Sequence, residues 1–513
     1  MSDGVITLDL DSPRELVPLK AKRLKLRTQR EAVAIVNQNC TAARSEGLTG
    51  RARVELRTPG KQAIARLYQV DNAMVAADEI GLSETAWTKL GLEEGDPVTL
   101  HHPRGLASMG GLRSKVYGHR LGKTRAAAIF RDIVDGRLSD VQISAFIAAL
   151  ASQRPEVDEI VALTDAMVSI GDRLAWPGDV IVDKHCVGGL PGNRTTPIIV
   201  SIVAAAGLTI PKTSSRAITS PAGTADTMAT VTRVDLSAEE MREVVEREGG
   251  CMVWGGGVEL SPADDLVIRV ERELELDCTS QMVASVMSKK IAAGSTHVLI
   301  DLPVGPTAKV RSRADADELS LFLRGVGHAF GLHVETVVSD GLQPVGDGIG
   351  PALEARDVLA VLECDRAAPC ELRERALGLA AVVLEMGGAC SPGDGRKLAT
   401  SILDDGRAWA KFVAICEAQG GFRRPGMAAF QHVITCERAG RVCGVDNRRL
   451  ARLAKLAGAP RSPAAGLELH ANIGDPLDAG QSLITLHGES VGELEYAFDY
   501  YRANTDLIEQ AAR

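Results

Sequence analysis

An apolar strand, a glycine-rich turn and a helix that opens on two hydroxyls follow one another near the middle of this chain. Residues 179–183, DVIVD, predict a short buried strand, and residues 195–206 predict a helix that ends at Gly207. Strand and helix segments of this kind alternate to about residue 430. The alternation is typical of an α/β domain, in which helices cover the faces of a sheet.

The chain divides into four segments by these patterns, as expected because its 513 residues exceed what one hydrophobic core supports. We predict an α/β multi-domain protein with a β-rich N-terminal module at 1–103 and the first part of an all-α lobe at 104–178. A large α/β lobe follows at 179–432, and an α+β module at 433–513 completes the chain. The last segment resembles a barrel-sandwich carrier of biotin or lipoate, but no lysine follows Lys455, which favours a structural role.

Composition excludes several classes of function. The net charge of -9 and the 3% aromatic content disfavour a nucleic-acid binder, which is usually basic and offers aromatic rings for stacking. The acidic start has no apolar core, so no signal peptide is expected, and the longest apolar stretch, near 198–210, is too short to predict a membrane span. The ten cysteines show no CxxC pair and no metal-ligand spacing, which predicts reduced thiols in the cytoplasm and no metal site.

The segment 183–196, DKHCVGGLPGNRTT, is the first candidate for chemistry. Its glycines let backbone N–H groups approach an anion closely, and the N-terminus of the following helix adds its dipole. Lys184 and Arg194 can add positive charge. The spacing is neither that of a Walker loop nor GxGxxG. A glycine-rich turn with a capping threonine is the alternative interpretation.

A second cluster follows directly at 212–220, where nine residues hold five hydroxyls and the two cations Lys212 and Arg216. Hydroxyls and arginine suit the binding of phosphate or sugar oxygens. A solvated loop is the alternative. Because the two clusters follow neighbouring strands, we expect a shared anion site at the carboxyl ends of those strands.

A third cluster lies between residues 264 and 290. Ser285 and Lys289 are four positions apart, so they share a face if this segment is helical. The paired Asp264 and Asp265 could bind a metal, but Pro262 just before them favours a helix cap or a turn.

These strings resemble a known family. DKHCVGG is similar to the DKHS-x-GG signature of thymidine and pyrimidine nucleoside phosphorylases, and VASVMSKK to their base-pocket helix. GGLPGNRTT and PKTSSRAITSPAGTAD resemble the type 2 branch, which includes AMP phosphorylases. The resemblance covers most of residues 105–510. It implies the nucleoside phosphorylase type II fold, with an all-α lobe and a large α/β lobe that close on substrate, in a homodimer or larger homo-oligomer.

The resemblance also implies roles by matching position. The implied phosphate-binding residues are Lys184, Cys186, Gly189, Thr196, Ser214 and Thr224. The implied nucleoside- or nucleotide-binding residues are Ser215, Arg216, Ala217, Ile218, Thr219, Ser220, Thr224, Ser285, Lys289 and Lys309. Asp277 or His185 would be the general acid. Two positions depart from the family: Cys186 replaces a serine and donates hydrogen bonds more weakly, and Arg194 stands where archaeal enzymes tend to carry lysine.

The implied activity is phosphorolysis of a nucleoside by inorganic phosphate, a co-substrate, with no cofactor. Thymidine is the first expectation. An AMP phosphorylase that releases ribose 1,5-bisphosphate is the alternative, because Lys212, Arg216 and Lys309 could bind a 5′-phosphate. A magnesium-dependent phosphoribosyltransferase and a non-catalytic nucleotide sensor are further alternatives, and neither nucleic acid nor a membrane is an expected partner.

Overall fold

The computed structural model describes residues 17–28, 31–48, 50, 52–71, 73–217, 220–258, 260–274, 276 and 278–511. The chain divides into two compact units. One contains the residues up to Gly110 together with Asp135–Ser139, and the other contains Gly111–Val134 and the residues from Asp140 onward. In these described ranges, no helix combines the length and apolar character that crossing a membrane requires.

The first unit contains a closed six-stranded barrel. Its strands are β1 (Leu19–Arg23), β2 (Val33–Asn37), β3 (Arg53–Thr58), β4 (Lys61–Val70), β5 (Glu79–Leu82) and β6 (Pro97–His101), and its short helices are α1 (Thr41–Ser45) and α2 (Glu84–Leu90). The strand order is β1-β5-β2-β4-β3-β6. Along β4, the buried Ala63, Ala65 and Leu67 alternate with more exposed residues, as in a strand with one face in a core.

Helices form the first part of the second unit. They are α4 (Lys123–Val134), α5 (Asp140–Ala151) and α6 (Val157–Val168), preceded by α3 (Ser108–Val116), within which the boundary between the units falls. One face of α5 is buried, and its Phe146 packs edge-on against Phe130 of α4. A buried ion pair between Lys115 and Glu159 at 2.7 Å joins α3 to α6.

Parallel strands follow, as the sequence pattern predicts. The strands are β7 (Val182–Cys186), β8 (Ile210–Ser214), β9 (Gly250–Trp254), β10 (His297–Val304) and β11 (His333–Asp340). The helices between them are α7 (Thr195–Ala205), α8 (Thr224–Ala229), α9 (Ala238–Glu248), α10 (Pro262–Leu274), α11 (Thr279–Ala292) and α12 (Arg313–Ala329). β10 lies between β7 and β11, β8 pairs with β9, and a bridge between Ile181 and Thr209 links the two sets.

The first strand of this lobe is displaced from its predicted position at 179–183. β7 runs from Val182 to Cys186 because its pairing with β10 continues as far as Cys186 opposite Asp301. Lys184 and His185 therefore lie on the strand, beyond its predicted end at residue 183. Helix α7 is buried on all sides, which explains its almost wholly apolar sequence.

The chain ends in four helices and an α+β module. The helices are α13 (Pro351–Leu362), α14 (Cys370–Met386), α15 (Gly395–Asp404) and α16 (Arg407–Ala418), preceded by β12 (Gly348–Ile349). The C-terminal module contains β13 (Phe430–Thr435), β14 (Gly440–Val445), α17 (Asn447–Leu456), β15 (Gly466–Leu469), β16 (Pro476–Leu477), β17 (Ser482–Gly488), α18 (Val491–Ala503) and β18 (Ile508–Ala511). Its first strand, β13, begins at Phe430, so the predicted boundary at residue 433 falls inside this strand. β12 pairs with β15, so the module's sheet reaches into the α/β lobe.

Candidate active site

A glycine loop, residues 187–193, connects β7 to α7 at the carboxyl edge of the parallel strands. Gly188 and Gly189 have φ of +86° and +87°, a region that residues with a side chain rarely adopt. A Cβ on Gly189 would lie 2.9 Å from the backbone nitrogen of Lys309. Gly189 therefore allows close approach of a second loop, and the predicted sites at Gly189 and Lys309 are brought together.

Lys184 lies directly behind this loop and is fully buried. Its Nζ donates a hydrogen bond to Thr195 Oγ1 at 2.7 Å and lies 3.4 Å from Thr196 Oγ1. The Thr195 hydroxyl donates to the carbonyl of Gly192 at 2.7 Å, which ties the glycine loop to the start of α7. A cation, two hydroxyls and a helix N-terminus thus converge, an arrangement suited to an anion.

Asp183 anchors a buried ion cluster beside Lys184. Its carboxylate is 2.6 Å from Lys290 Nζ and 3.3 Å from Lys212 Nζ, and all three side chains are nearly inaccessible. Burial by itself raises the pKa of Asp183, but the two ammonium groups outweigh it and hold that pKa below its ordinary value. Burial lowers the pKa of Lys290 to about 7, against the opposing pull of Asp183.

His185 faces an environment that disfavours its protonated form. Burial, and then the charges of Lys290, Lys212 and Lys289, lower the pKa of His185 well below its ordinary value. The imidazole is therefore neutral near pH 7. A neutral imidazole still donates one N–H hydrogen bond, but it is a poor source of a full proton.

Cys186 ends β7 beneath the glycine loop. Burial, and then the carboxylate of Asp301, raise the pKa of the thiol to about 12, so it is protonated. Asp301 Oδ1 accepts a hydrogen bond from Ser339 at 2.5 Å, whereas its buried Oδ2 has no partner among the described residues. Sequence analysis missed Asp301, although a single carboxylate within the apolar segment 297–304 was a visible signal.

Asp226 ties the residues that directly follow β8 to the start of α8. Asp226 Oδ2 accepts hydrogen bonds from the backbone nitrogens of Ala217 at 2.5 Å and Gly223 at 3.0 Å. A Cβ on Gly223 would lie 2.4 Å from the carbonyl oxygen of Ser215, so the turn requires glycine here. Thr224 begins α8 directly after Gly223.

Other predicted residues of the second cluster have varied surroundings. The Ser214 hydroxyl donates to the carbonyl of Val253 at 3.3 Å, and Ser220 is buried. Ile218 and Thr219 lie outside the described residues.

Arg216 and Lys212, which the sequence suggested for a 5′-phosphate, both lie beside carboxylates. Arg216 lies 3.3 Å from both Asp226 and Asp235, and its guanidinium stacks over Trp254 at 5.0 Å. Lys212 is paired with Asp183 as described above. The positive charge of each side chain is therefore compensated by a carboxylate of the protein that is not its neighbour in sequence. Lys309, by contrast, has no ion pair among the described residues.

Arg194 does not add charge to the glycine loop, contrary to the expectation from sequence. Its side chain is buried, 2.9 Å from Asp357 and 3.6 Å from Glu354, and it also donates to the carbonyl of Gly348. The guanidinium points toward α13 because that helix carries both carboxylates. Burial raises the pKa of Glu354 to about 7 and that of Asp347 to about 6.

The base-pocket helix predicted from sequence is α11. Ser285 is buried on it, and Lys289 Nζ lies 2.6 Å from Oδ2 of Asp264, in the first turn of α10. Asp264 is thus a buried partner of Lys289 within the first turn of α10, and it is neither the helix cap nor the turn that its sequence context favoured. Asp277, the first candidate for the general acid, lies outside the described residues. Among those that are described, no cluster of His, Cys, Asp and Glu could hold a metal ion.

Comparisons with known proteins point to one family. The model of a glycosyl transferase family's helical bundle domain matches residues 111–171, and the model of that family's α/β domain matches residues 178–409. "Putative thymidine phosphorylase 2" of Acidovorax sp. (strain JS42) is 56% identical over 96% of this chain and 96% of its own. "Putative thymidine phosphorylase" of Chelativorans sp. (strain BNC1) is 54% identical over 96% of this chain and 97% of its own.

A solved structure shares the fold. Anthranilate phosphoribosyltransferase from Thermus thermophilus superposes with a TM-score of 0.51 at 18% identity, over 60% of this chain and 98% of that one. At this identity the likeness concerns the fold alone.

Proposed function

Because the chain belongs to the glycosyl transferase family of the thymidine phosphorylases, we propose that it cleaves the N-glycosidic bond of a nucleoside with inorganic phosphate. Thymidine is the lead substrate, giving thymine and 2-deoxy-α-D-ribose 1-phosphate. The observation that carries the proposal is the convergence of Lys184, Thr195 and Thr196 behind the glycine loop at the N-terminus of α7. This convergence supports the binding of an anion, which the proposed reaction uses as a co-substrate.

Phosphate would bind where the glycine loop meets α7. Backbone N–H groups of the loop and the helix dipole favour a negative charge, and Lys184 supplies the cation. Holding phosphate beneath the anomeric carbon turns a bimolecular encounter into a positioned attack. Lys212, which is paired with Asp183, supports Lys184 because its Nζ donates a hydrogen bond to the Lys184 carbonyl at 2.8 Å.

In the reaction, a phosphate oxygen forms a bond to the anomeric carbon while the carbon–nitrogen bond to the base breaks. The sugar becomes cationic on the way, and the negative charge of phosphate stabilises it. The departing base takes up a proton or a strong hydrogen bond, which contributes roughly 10²–10⁴-fold. We assign proton donation to Asp277. The neutral His185 donates a hydrogen bond to the base or sugar.

Free nucleosides are favoured over nucleoside 5′-monophosphates, because Lys212 and Arg216 are each paired with a carboxylate and carry no spare positive charge for a 5′-phosphate. The second candidate, an AMP phosphorylase, is favoured by Lys309, which lies against Gly189 and has no ion pair within the described part of the chain. A single cation is a weaker site for a doubly charged 5′-phosphate than the three that the sequence suggested.

The test is release of free base by the purified protein in phosphate buffer, with thymidine, uridine, AMP, CMP and UMP in parallel. Release from thymidine supports the lead substrate. Release from the monophosphates alone would replace it with a nucleotide phosphorylase that yields ribose 1,5-bisphosphate. Lys184→Met is the matched control, because it keeps the length of the side chain and removes its charge, so it should lose at least about a hundredfold in kcat/KM.

A further inference from the structure

The C-terminal module reaches the active-site edge of the parallel strands through Asn447, the first residue of α17. Asn447 is fully buried, and its backbone nitrogen and Nδ2 both donate to Thr307 Oγ1 at 3.1 Å. Nδ2 also donates to the carbonyls of Gly341 at 3.0 Å and Leu342 at 3.4 Å. The Thr307 hydroxyl in turn donates to the carbonyl of Val445 at 3.4 Å. Asn447 thereby holds two loops outside its own module.

These two loops follow β10 and β11 and are in direct backbone contact with each other. A Cβ on Gly305 would lie 2.3 Å from the carbonyl oxygen of Gly341, and a Cβ on Gly341 would lie 2.9 Å from the nitrogen of Val304. Contacts this close leave little freedom for one loop to move without the other. Asn447 therefore fixes the carboxyl ends of both strands as one unit.

In the loop after β10, the residue that approaches the glycine loop lies only two positions after Thr307. The loop after β10 is a tight turn, in which Gly305 N donates to the Val310 carbonyl and Ala308 N donates to the Gly305 carbonyl, both at 3.1 Å. Lys309 follows, and its backbone nitrogen is the atom that a Cβ on Gly189 would meet at 2.9 Å. The position of the Thr307 hydroxyl thus determines how the glycine loop is supported on this side.

The glycine loop is held by the same module on its other side. Leu190, a non-glycine residue with φ of 91°, is buried in the module's hydrophobic core together with Ile349 and Leu467. The neighbouring Pro191 accepts a hydrogen bond from the nitrogen of Val345 at 2.6 Å. A left-handed conformation is costly for leucine, so packing against the module must maintain it.

We infer that Thr307 is a positioning residue through which the C-terminal module sets the geometry of the phosphate site. It acts through Lys309 on Gly189. The inference rests on the proposed phosphorolysis for its kinetic readout and extends it, since it gives the module a part in the reaction that its own sequence did not indicate.

The experiment compares wild type with Thr307→Val and Thr307→Ser. Valine keeps the shape and removes the hydroxyl, whereas serine keeps the hydroxyl. We expect Thr307→Val to raise the KM and the Kd for inorganic phosphate about tenfold, equivalent to about 1.4 kcal/mol, with a smaller change in kcat. Thr307→Ser should remain within about twofold of wild type. If the valine variant does not fold, Thr307→Ala removes the same hydroxyl and is expected to change KM and Kd in the same direction.

Phosphate Kd is measured by calorimetry and KM by release of base, both well below the lowest melting temperature of the set. Equal phosphate affinity in wild type and in the variants without the hydroxyl would overturn the inference and leave the proposed function intact. No base release by wild type, with phosphate still bound more tightly than by Thr307→Val, would overturn the proposed function and uphold the inference. No phosphate binding by wild type would overturn both.

Discussion

Gly188 and Gly189 offer a controlled perturbation of the phosphate site, because they share a backbone conformation and differ in their surroundings. Their φ values are +86° and +87°, so alanine at either position carries the same left-handed strain of about 1–2 kcal/mol. A Cβ on Gly188 meets nothing within 4 Å, whereas a Cβ on Gly189 lies 2.9 Å from the nitrogen and 3.1 Å from the Cβ of Lys309. Since backbone cannot rotate away, Lys309 must move.

By moving, the loop can relieve at most this strain, which limits the loss in kcat/KM for phosphate to about tenfold, since about 1.4 kcal/mol is a factor of ten. Moving Lys309 adds to this in Gly189→Ala, because small misplacements in an active site cost up to about a hundredfold. We therefore expect a loss of about tenfold for Gly188→Ala and about a hundredfold for Gly189→Ala.

The assay for this pair is the initial rate of base release against phosphate concentration, at saturating nucleoside, with thermal unfolding of each variant as a control for folding. Comparable losses in the two variants would refute the close approach of the two loops as a requirement for phosphate binding. A larger loss in Gly188→Ala would refute it more strongly.

Three further predictions concern charge. His185→Gln keeps an N–H donor and should lower kcat about tenfold without altering the pH profile of kcat/KM between pH 6 and 8, because burial and the neighbouring lysines hold the pKa of the native imidazole well below its ordinary value; a lost acidic limb would contradict this. Asp183→Asn leaves the buried Lys290 uncompensated and should lower the free energy of unfolding by about 3–5 kcal/mol in urea titrations. Asp317→Asn, which removes one member of an exposed ion pair, should lower the free energy of unfolding by under about 1 kcal/mol. Equal losses of stability in these two variants would contradict the importance of the buried cluster around Asp183. The pKa of Glu354 is raised from 4.5 to about 7 by burial, so its contribution to stability is complete below pH 4.5 and is lost as pH rises through about 7. In thermal unfolding, Glu354→Gln should lose less stability than wild type as pH rises from 4.5 to 7. An equal dependence of stability on pH in both proteins would contradict this assignment.

The local sequence was enough to predict much of the glycine loop and its surroundings. The glycines, the two threonines and the apolar helix that follows them are contiguous, so the turn between β7 and α7 and the approach of Lys184 to Thr196 could be predicted. The boundaries of β7 could not, because its length depends on pairing with β10, which lies far away along the chain.

The charges were harder to predict, since their partners are distant in sequence. Asp357 lies 163 positions from Arg194, and Lys290 lies 107 positions from Asp183. Read locally, Arg194 and Lys212 look like free cations beside an anion site. Only the fold shows that carboxylates neutralise both. The link from Asn447 to Thr307 spans 140 positions and had no local signal.

The central measurement is whether base release requires inorganic phosphate and yields one sugar 1-phosphate for each base. We predict no release from thymidine in phosphate-free buffer, release that saturates with phosphate, and no requirement for magnesium. Thymine, measured by chromatography, should equal 2-deoxyribose 1-phosphate, measured by ³¹P NMR. Release of base without phosphate, or activity seen only with magnesium and phosphoribosyl pyrophosphate, would contradict phosphorolysis at this site.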